Sequence, residues 1–157
     1  MKKSYLPFFV LGILTIFTGQ VFGESKAKGF IGNISELSVQ NKDFRQVLYT
    51  GKNVQLVLMA LKPGEDIGEE VHEKVDQFFR IEAGSGMAII NGKQTSIKMD
   101  DAVIVPAGSK HNIVNNGKVP LQFYSLYSPP HHKDKTVHKT KAEATNSKEK
   151  FDGQATE

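Results

Sequence analysis

The stretch GEDIGEEVHEKVDQFFRIEAGSG, Gly64 to Gly86, decides how the rest of the chain is read. It opens on a turn-forming Gly, places Glu70 and His72 two residues apart, and runs through Asp76-Gln77 into the largely apolar segment Phe78–Ile81. Residues i and i+2 of a strand point to one face, so Glu70 and His72 aim at the same place. Further on, PAGSKHNIVN, Pro106 to Asn115, carries His111. If His111 reaches that place from another strand, two imidazoles and a carboxylate meet there, a donor set suited to a divalent transition metal.

Working outward, the pattern is strand after strand. Asp43–Thr50 and Val54–Leu61 flank Gly51-Lys52-Asn53, a hairpin signal. Pro63 ends the second of these, because proline cannot donate to a ladder. Short strands follow through Glu70–His72 and Asp76–Glu82. Met87–Asn91 and Gln94–Lys98 come next, with Asn91-Gly92 the strongest two-residue hairpin signal in the chain. Ala102–Val105, Lys110–Val114 and Leu121–Tyr127 complete the series. Eight or nine short strands at close spacing predict an all-β fold, an antiparallel sandwich or barrel. A barrel of this size holds one small ligand. A short helix is expected at Ile34–Gln40.

Parity then decides which side chains enter the barrel. Asp76, Phe78, Arg80 and Glu82 share one face of their strand, and three of the four are charged; Gln77, Phe79 and Ile81 therefore form the interior face. His111, Ile113 and Asn115 share a face by the same rule. A lone buried His is usually a hydrogen-bonded core residue. Two inward His with a carboxylate beside them are a different case, because burying Glu70 without a partner costs several kcal/mol and no Lys or Arg of the two clusters obviously points inward.

These residues resemble the paired motifs of the cupin superfamily. The first family motif is Gly, five residues, His-x-His, three or four residues, Glu, six residues, Gly. Here Gly64 is followed by five residues, Glu70-Val71-His72, four residues, Gln77, six residues and Gly84. The second family motif is Gly, five residues, Pro-x-Gly, two residues, His, three residues, Asn. Pro106, Gly108, His111 and Asn115 fit it, while Asp100 stands where the leading Gly is usual. The resemblance implies a jelly-roll barrel (double-stranded β-helix) over residues 43–130, with Glu70, His72, Gln77 and His111 as metal ligands. Glu70 replaces the first family His and Gln77 the family Glu, so the carboxylate has moved rather than vanished. The set suits Fe, Mn, Ni or Zn. Val75–Glu82 and the Tyr127-Ser128-Pro129-Pro130 exit look similar to the small bacterial cupins grouped with mannose-6-phosphate isomerase-like proteins. Such cupins commonly pair through outer strands, and a homodimer is expected on that ground.

The flanks carry separate expectations. Residues 1–23 have a basic start, an apolar run Leu6–Phe17 and a break at Thr18-Gly19-Gln20, the pattern of a signal peptide cleaved after Gly23. An uncleaved N-terminal anchor is the alternative. Either way a periplasmic or secreted domain is expected, with no membrane span after cleavage. Formal net charge is +3, falling to about +1 once Lys2 and Lys3 are removed. With no basic stripe, a nucleic-acid partner is not expected. The chain has no cysteine, which excludes disulfides, thiolate metal sites and a Cys nucleophile. Residues 24–42 read as a polar approach. Residues 131–157 read as a polar tail, disordered from about Ala142, with His131, His132 and His138 at its start read as solvated and, in the alternative, as reaching a metal or capping the barrel mouth.

The functional expectation is a metal-dependent protein acting as a Lewis acid on a small polar or sugar-like molecule, with Glu70 as ligand or general base. A non-catalytic ligand-binding or sensor barrel is the alternative, and a dimer with a vestigial site is the plainest reading.

Overall fold

The computed structural model describes Met1 and residues 28–156; the expected signal segment lies outside the described residues apart from Met1. In chain order the elements are α1 (Ile34–Gln40), β1 (Arg45–Thr50), β2 (Gln55–Leu61), β3 (Glu70–Val71), β4 (Asp76–Ala83), β5 (Ser85–Ile90), β6 (Lys93–Lys98), β7 (Ala102–Val105), β8 (Lys110–Val114), β9 (Leu121–Ser128), β10 (Val137–His138) and α2 (Lys141–Asn146). They form two antiparallel sheets, one of six strands in the order β10-β1-β2-β9-β4-β7 and one of four in the order β3-β8-β5-β6. This is the expected all-β jelly roll. No helix among the described residues is long and apolar enough to cross a membrane.

Alternation along the strands builds the interior. In β4, Gln77, Phe79 and Ile81 are buried while Asp76 is exposed, as parity requires. In β8, His111 and Ile113 are buried and Lys110 is exposed. Most of the inner face is apolar: Val57, Met59, Leu61, Phe79, Ile81, Ile113 and Phe123 join one core. The polar inward residues collect at one end, where Tyr127 lies opposite both Gln55 and Gln77 in the register. All seven residues of β2 are buried. Its outward side is covered too, because α1 packs on the outside of the sheet and Gln122 donates to the Val39 and Asn41 carbonyls at the end of that helix.

Turn chemistry matches the strands. Asn91 and Gly92 both have positive φ, 49° and 81°, joining β5 to β6 as a two-residue hairpin of the expected kind. Asp100, standing where the family's leading Gly is usual, also has a positive φ of 76°. Asp tolerates that region better than most residues, and here its carboxylate accepts from Arg80 at 2.8 Å.

The expectation of a disordered tail is corrected. β10 adds to the edge of β1, pairing His138 with Arg45. Helix α2 is capped by Thr140, whose hydroxyl accepts from the Glu143 N–H, and Lys141 reaches Asp66 at 2.7 Å. Beyond it, Glu149 accepts from the Lys133 N–H and meets His132 at 2.9 Å, the Phe151 N–H donates to the His131 carbonyl, and Thr156 bonds Thr50 through backbone and side chain. The tail is held by paired polar groups, which composition does not reveal. The solvated reading of its histidines is corrected with it: His132 and His138 are buried, and His131 is half-buried.

Candidate metal centre

Two strands of the smaller sheet bring the first donors together. Glu70 on β3 lies directly across from His111 on β8. His72 follows β3 by one residue, and its Nε2 sits 3.2 Å from Glu70 Oε2. One ligand atom from each of Glu70, His72 and His111 lies within 4.8 Å of the others, close enough for all three to reach one metal ion. Gln77 enters from β4 on the larger sheet, its Oε1 3.0 Å from His111 Nε2. The structure thus brings all four of the residues named from sequence to one place.

The hydrogen bonds show which lone pairs face one another. His111 Nδ1 is 3.0 Å from the Ser109 carbonyl, which only accepts, so Nδ1 carries the proton. In the neutral ring Nε2 then presents a lone pair, and Gln77 Oε1 presents another to it. Two acceptors face each other unless the Gln77 amide turns, donating to His111 and accepting from the Ser125 hydroxyl that is 3.1 Å from its Nε2. A cation between them satisfies both lone pairs without that turn. His72 Nε2 is buried and, although close to the carboxylate, makes no aligned hydrogen bond among the described residues. Carboxylate oxygen, two imidazole nitrogens and an amide oxygen therefore fit a divalent metal. The Ser109 carbonyl provides the outer support that ligating histidines usually have.

Electrostatics agree. Burial lowers the His111 pKa, despite the Ser109 carbonyl and Glu70, and so favours the neutral ring that a metal needs. Burial works to raise the Glu70 carboxyl, but the contact with His72 and the charge of Arg45 outweigh it and hold the group below its ordinary value.

Arg45, which the sequence reading missed, is buried with Nη2 3.7 Å from Glu70 Oε1. It lies outside both motifs, on a strand where apolar residues occupy both faces, so parity gave no signal. His131, whose capping of the barrel mouth is the alternative the sequence offers, stands at the site. Its ring centroid is 4.3 Å from that of His72, and it stacks on Tyr127 with planes 12° apart. Burial, reinforced by His132 and His72, lowers its pKa to about 4. The tail thus stands over the centre.

A family model described as a cupin domain matches residues 57–127. The crystal structure of BH2720 from Bacillus halodurans is 40% identical, with a TM-score of 0.75, over 76% of this chain and 96% of that one. The chain belongs to the cupin family. Among curated relatives, the uncharacterised Bacillus subtilis protein YrkC is 47% identical over 74% of this cupin and 66% of its own length. The uncharacterised mimivirus protein L612 is 37% identical over 66% of this cupin and 67% of its own length. The chain therefore spans about two thirds of each of these relatives.

Proposed function

We propose that this cupin is an exported, metal-dependent protein that acts on a small polar molecule, with a divalent transition ion held by Glu70, His72 and His111 and assisted by Gln77. The observation that carries the reading is the inward set of unshared lone pairs, with His111 Nε2 and Gln77 Oε1 facing each other at 3.0 Å and His72 Nε2 without a hydrogen-bond partner among the described residues. When bound, such an ion supplies Lewis acidity, polarising a carbonyl or hydroxyl oxygen of the substrate. The protein's own part is positional. Ser109 fixes the His111 tautomer, His72 and Arg45 hold the Glu70 carboxyl below its ordinary value, and His131, stacked on Tyr127, packs against His72. Export rests on the pattern of residues 1–23, and pairing into a homodimer on family resemblance; both belong to this reading.

The test is elemental analysis of the protein lacking residues 1–23 and carrying no His-tag, beside the His72→Ala/His111→Ala double variant. Stoichiometric Fe, Mn, Ni or Zn is expected in the parent and at most a tenth of that in the variant. A parent that takes up no metal after reconstitution sinks the reading.

A second reading is favoured by one observation. The tail stands over the centre, with His131 against His72 and His132 bound to Glu149. A barrel closed in this way suits a binding or sensing protein that captures a ligand without turnover. Glu70→Gln separates the two: it abolishes a reaction in the first case and only weakens binding in the second.

A further inference from the structure

Gln55 is fully buried on β2, outside both motifs. Its Nε2 donates to the Thr50 hydroxyl at 2.9 Å and to the His132 carbonyl at 2.7 Å. Its Oε1 accepts from the His131 N–H at 3.2 Å and the His132 N–H at 2.9 Å. A glutamine amide has two N–H donors and two lone pairs, so every one is engaged. The orientation is forced, because a carbonyl only accepts and a backbone N–H only donates. Three of these partners are backbone groups of His131 and His132, and holding them fixes where the two rings go. The His131 ring lies 4.3 Å from that of His72 and stacks on Tyr127, while His132 meets Tyr127 edge-on with centroids 5.0 Å apart. Under this cover the His72 side chain is 9% exposed, and Gln77 and His111 are buried. The cavity of about 230 Å³ beside the barrel reaches Glu70 but none of the nitrogen donors, and Ala144 and Thr145 of the tail form part of its wall.

We propose that residues 131–156 form a strap, latched by Gln55 and Glu149, that lifts to admit an ion or ligand to the centre and closes behind it. The proposal deepens the metal reading, on which it rests for the role of His72 as a donor. What holds the strap differs in kind from what holds the barrel. Among the described residues none beyond Tyr127 joins the buried apolar core, and Ala144 alone packs partly against it. Helix α2 buries none of its residues, and β10 is two residues long. The latches are polar instead. Glu149 accepts from the Lys133 N–H and meets His132 Nδ1, each at 2.9 Å, and Thr156 ties the end of the segment to Thr50. A unit with few buried apolar contacts opens at a fraction of the free energy of global unfolding. The barrel below keeps its own core when the strap lifts. Gln55 is thus a positioning residue: it acts on the centre through His131. A gate of this kind changes entry and exit by the same factor and leaves affinity alone, because it favours neither the free nor the bound state.

The experiment compares Gln55→Leu and Glu149→Ala with the parent. Metal-free samples are treated with diethyl pyrocarbonate, and carbethoxylation of His72 is followed by peptide mass spectrometry. Hydrogen exchange at the β2 and β9 amides reports the barrel in the same samples. His72 is expected to react at least fivefold faster in both variants, with β2 and β9 protection unchanged. Entry and exit of Zn(II), followed with a chromophoric chelator, should both quicken at least fivefold, with affinity within threefold of the parent. A change in His72 reactivity of less than fivefold in either folded variant overturns the strap. Faster reaction that comes with lost β2 and β9 protection also overturns it, since the barrel itself is then opening. So does affinity weakened beyond threefold at an unchanged entry rate, which makes the tail a support for the metal and not a gate. If Gln55→Leu does not fold, Glu149→Ala decides alone by the same criteria. If the parent takes up no metal, the metal reading fails by itself, and the His72 labelling, made without metal, still decides the strap.

Discussion

At the scale of single residues, the centre differs from its family by two exchanges that compensate in charge. Glu70 stands at a position usually held by His, and Gln77 at one usually held by Glu. Gln77 is buried at 1% exposure and contacts both His111 and Ser125, so it is built into the site rather than left over. A neutral amide oxygen is a weaker ligand than a carboxylate. Gln77→Glu is therefore expected to raise metal affinity by about tenfold or more, read by competition with a chromophoric chelator. The same change places a second carboxylate near Glu70. Without metal it should lower the melting temperature by several degrees, as expected for about 1–2 kcal/mol of like-charge and burial cost. Unchanged metal affinity in Gln77→Glu would remove Gln77 from the coordinating set. The inward aim of Gln77 and His111 could be read from sequence because three charges on one face of β4 settle the parity and Ile113 marks the face of His111. Arg45 could not be read this way, since a single buried cation on β1 leaves no periodic trace.

At the scale of elements, the strands were readable because each ends on turn chemistry with one conformational meaning. The two-residue hairpin at Asn91-Gly92 and the Pro-terminated strands follow from backbone limits alone. What sequence did not show is where two backbones touch. Gly86 lies inside β5, and a Cβ built there would overlap the Val114 carbonyl oxygen and press on Leu121. Gly92 at the hairpin has the opposite character: φ is +81°, but nothing lies within 4 Å of the position a Cβ would take. Gly92→Ala should cost about 1 kcal/mol, the ordinary penalty for a left-handed backbone. Gly86→Ala must move the β5–β8 pairing and should cost about 2–4 kcal/mol. Chemical denaturation of both variants checks the order, and a Gly86→Ala cost below that of Gly92→Ala would contradict the close approach.

At the scale of the whole molecule, the tail makes one enclosed unit of what the sequence suggests is a barrel with a loose end. Its anchors are polar and reciprocal: Glu149 with His132 and Lys133, Lys141 with Asp66, Thr156 with Thr50. Hydropathy registers none of these, which is why composition points to disorder. The anchors do carry a pH signature. Burial lowers the His132 pKa even though Glu149 pulls it up, so the unfolded or released tail takes up more protons than the docked one below about pH 6.5. Docking is thus weakened as pH falls through that value. Burial works to raise Glu149, but its bonds to His132 and the Lys133 N–H outweigh it and lower the group to about 2. That contribution is complete above about pH 4.5 and is lost as pH falls towards 2. Both groups act in the same direction, and acid loosens the tail. Hydrogen exchange at the Phe151 and Thr156 amides, corrected for intrinsic rate, should show protection falling by about tenfold between pH 7.5 and pH 5. The β2 and β9 amides should change far less. Glu149→Gln should begin at lower protection at pH 7.5 and lose at least as much on acidification, because the carboxylate that pulls the His132 pKa up is gone. Protection at these amides that stays level or rises on acidification would mean that the docked tail does not hold His132 neutral by burial.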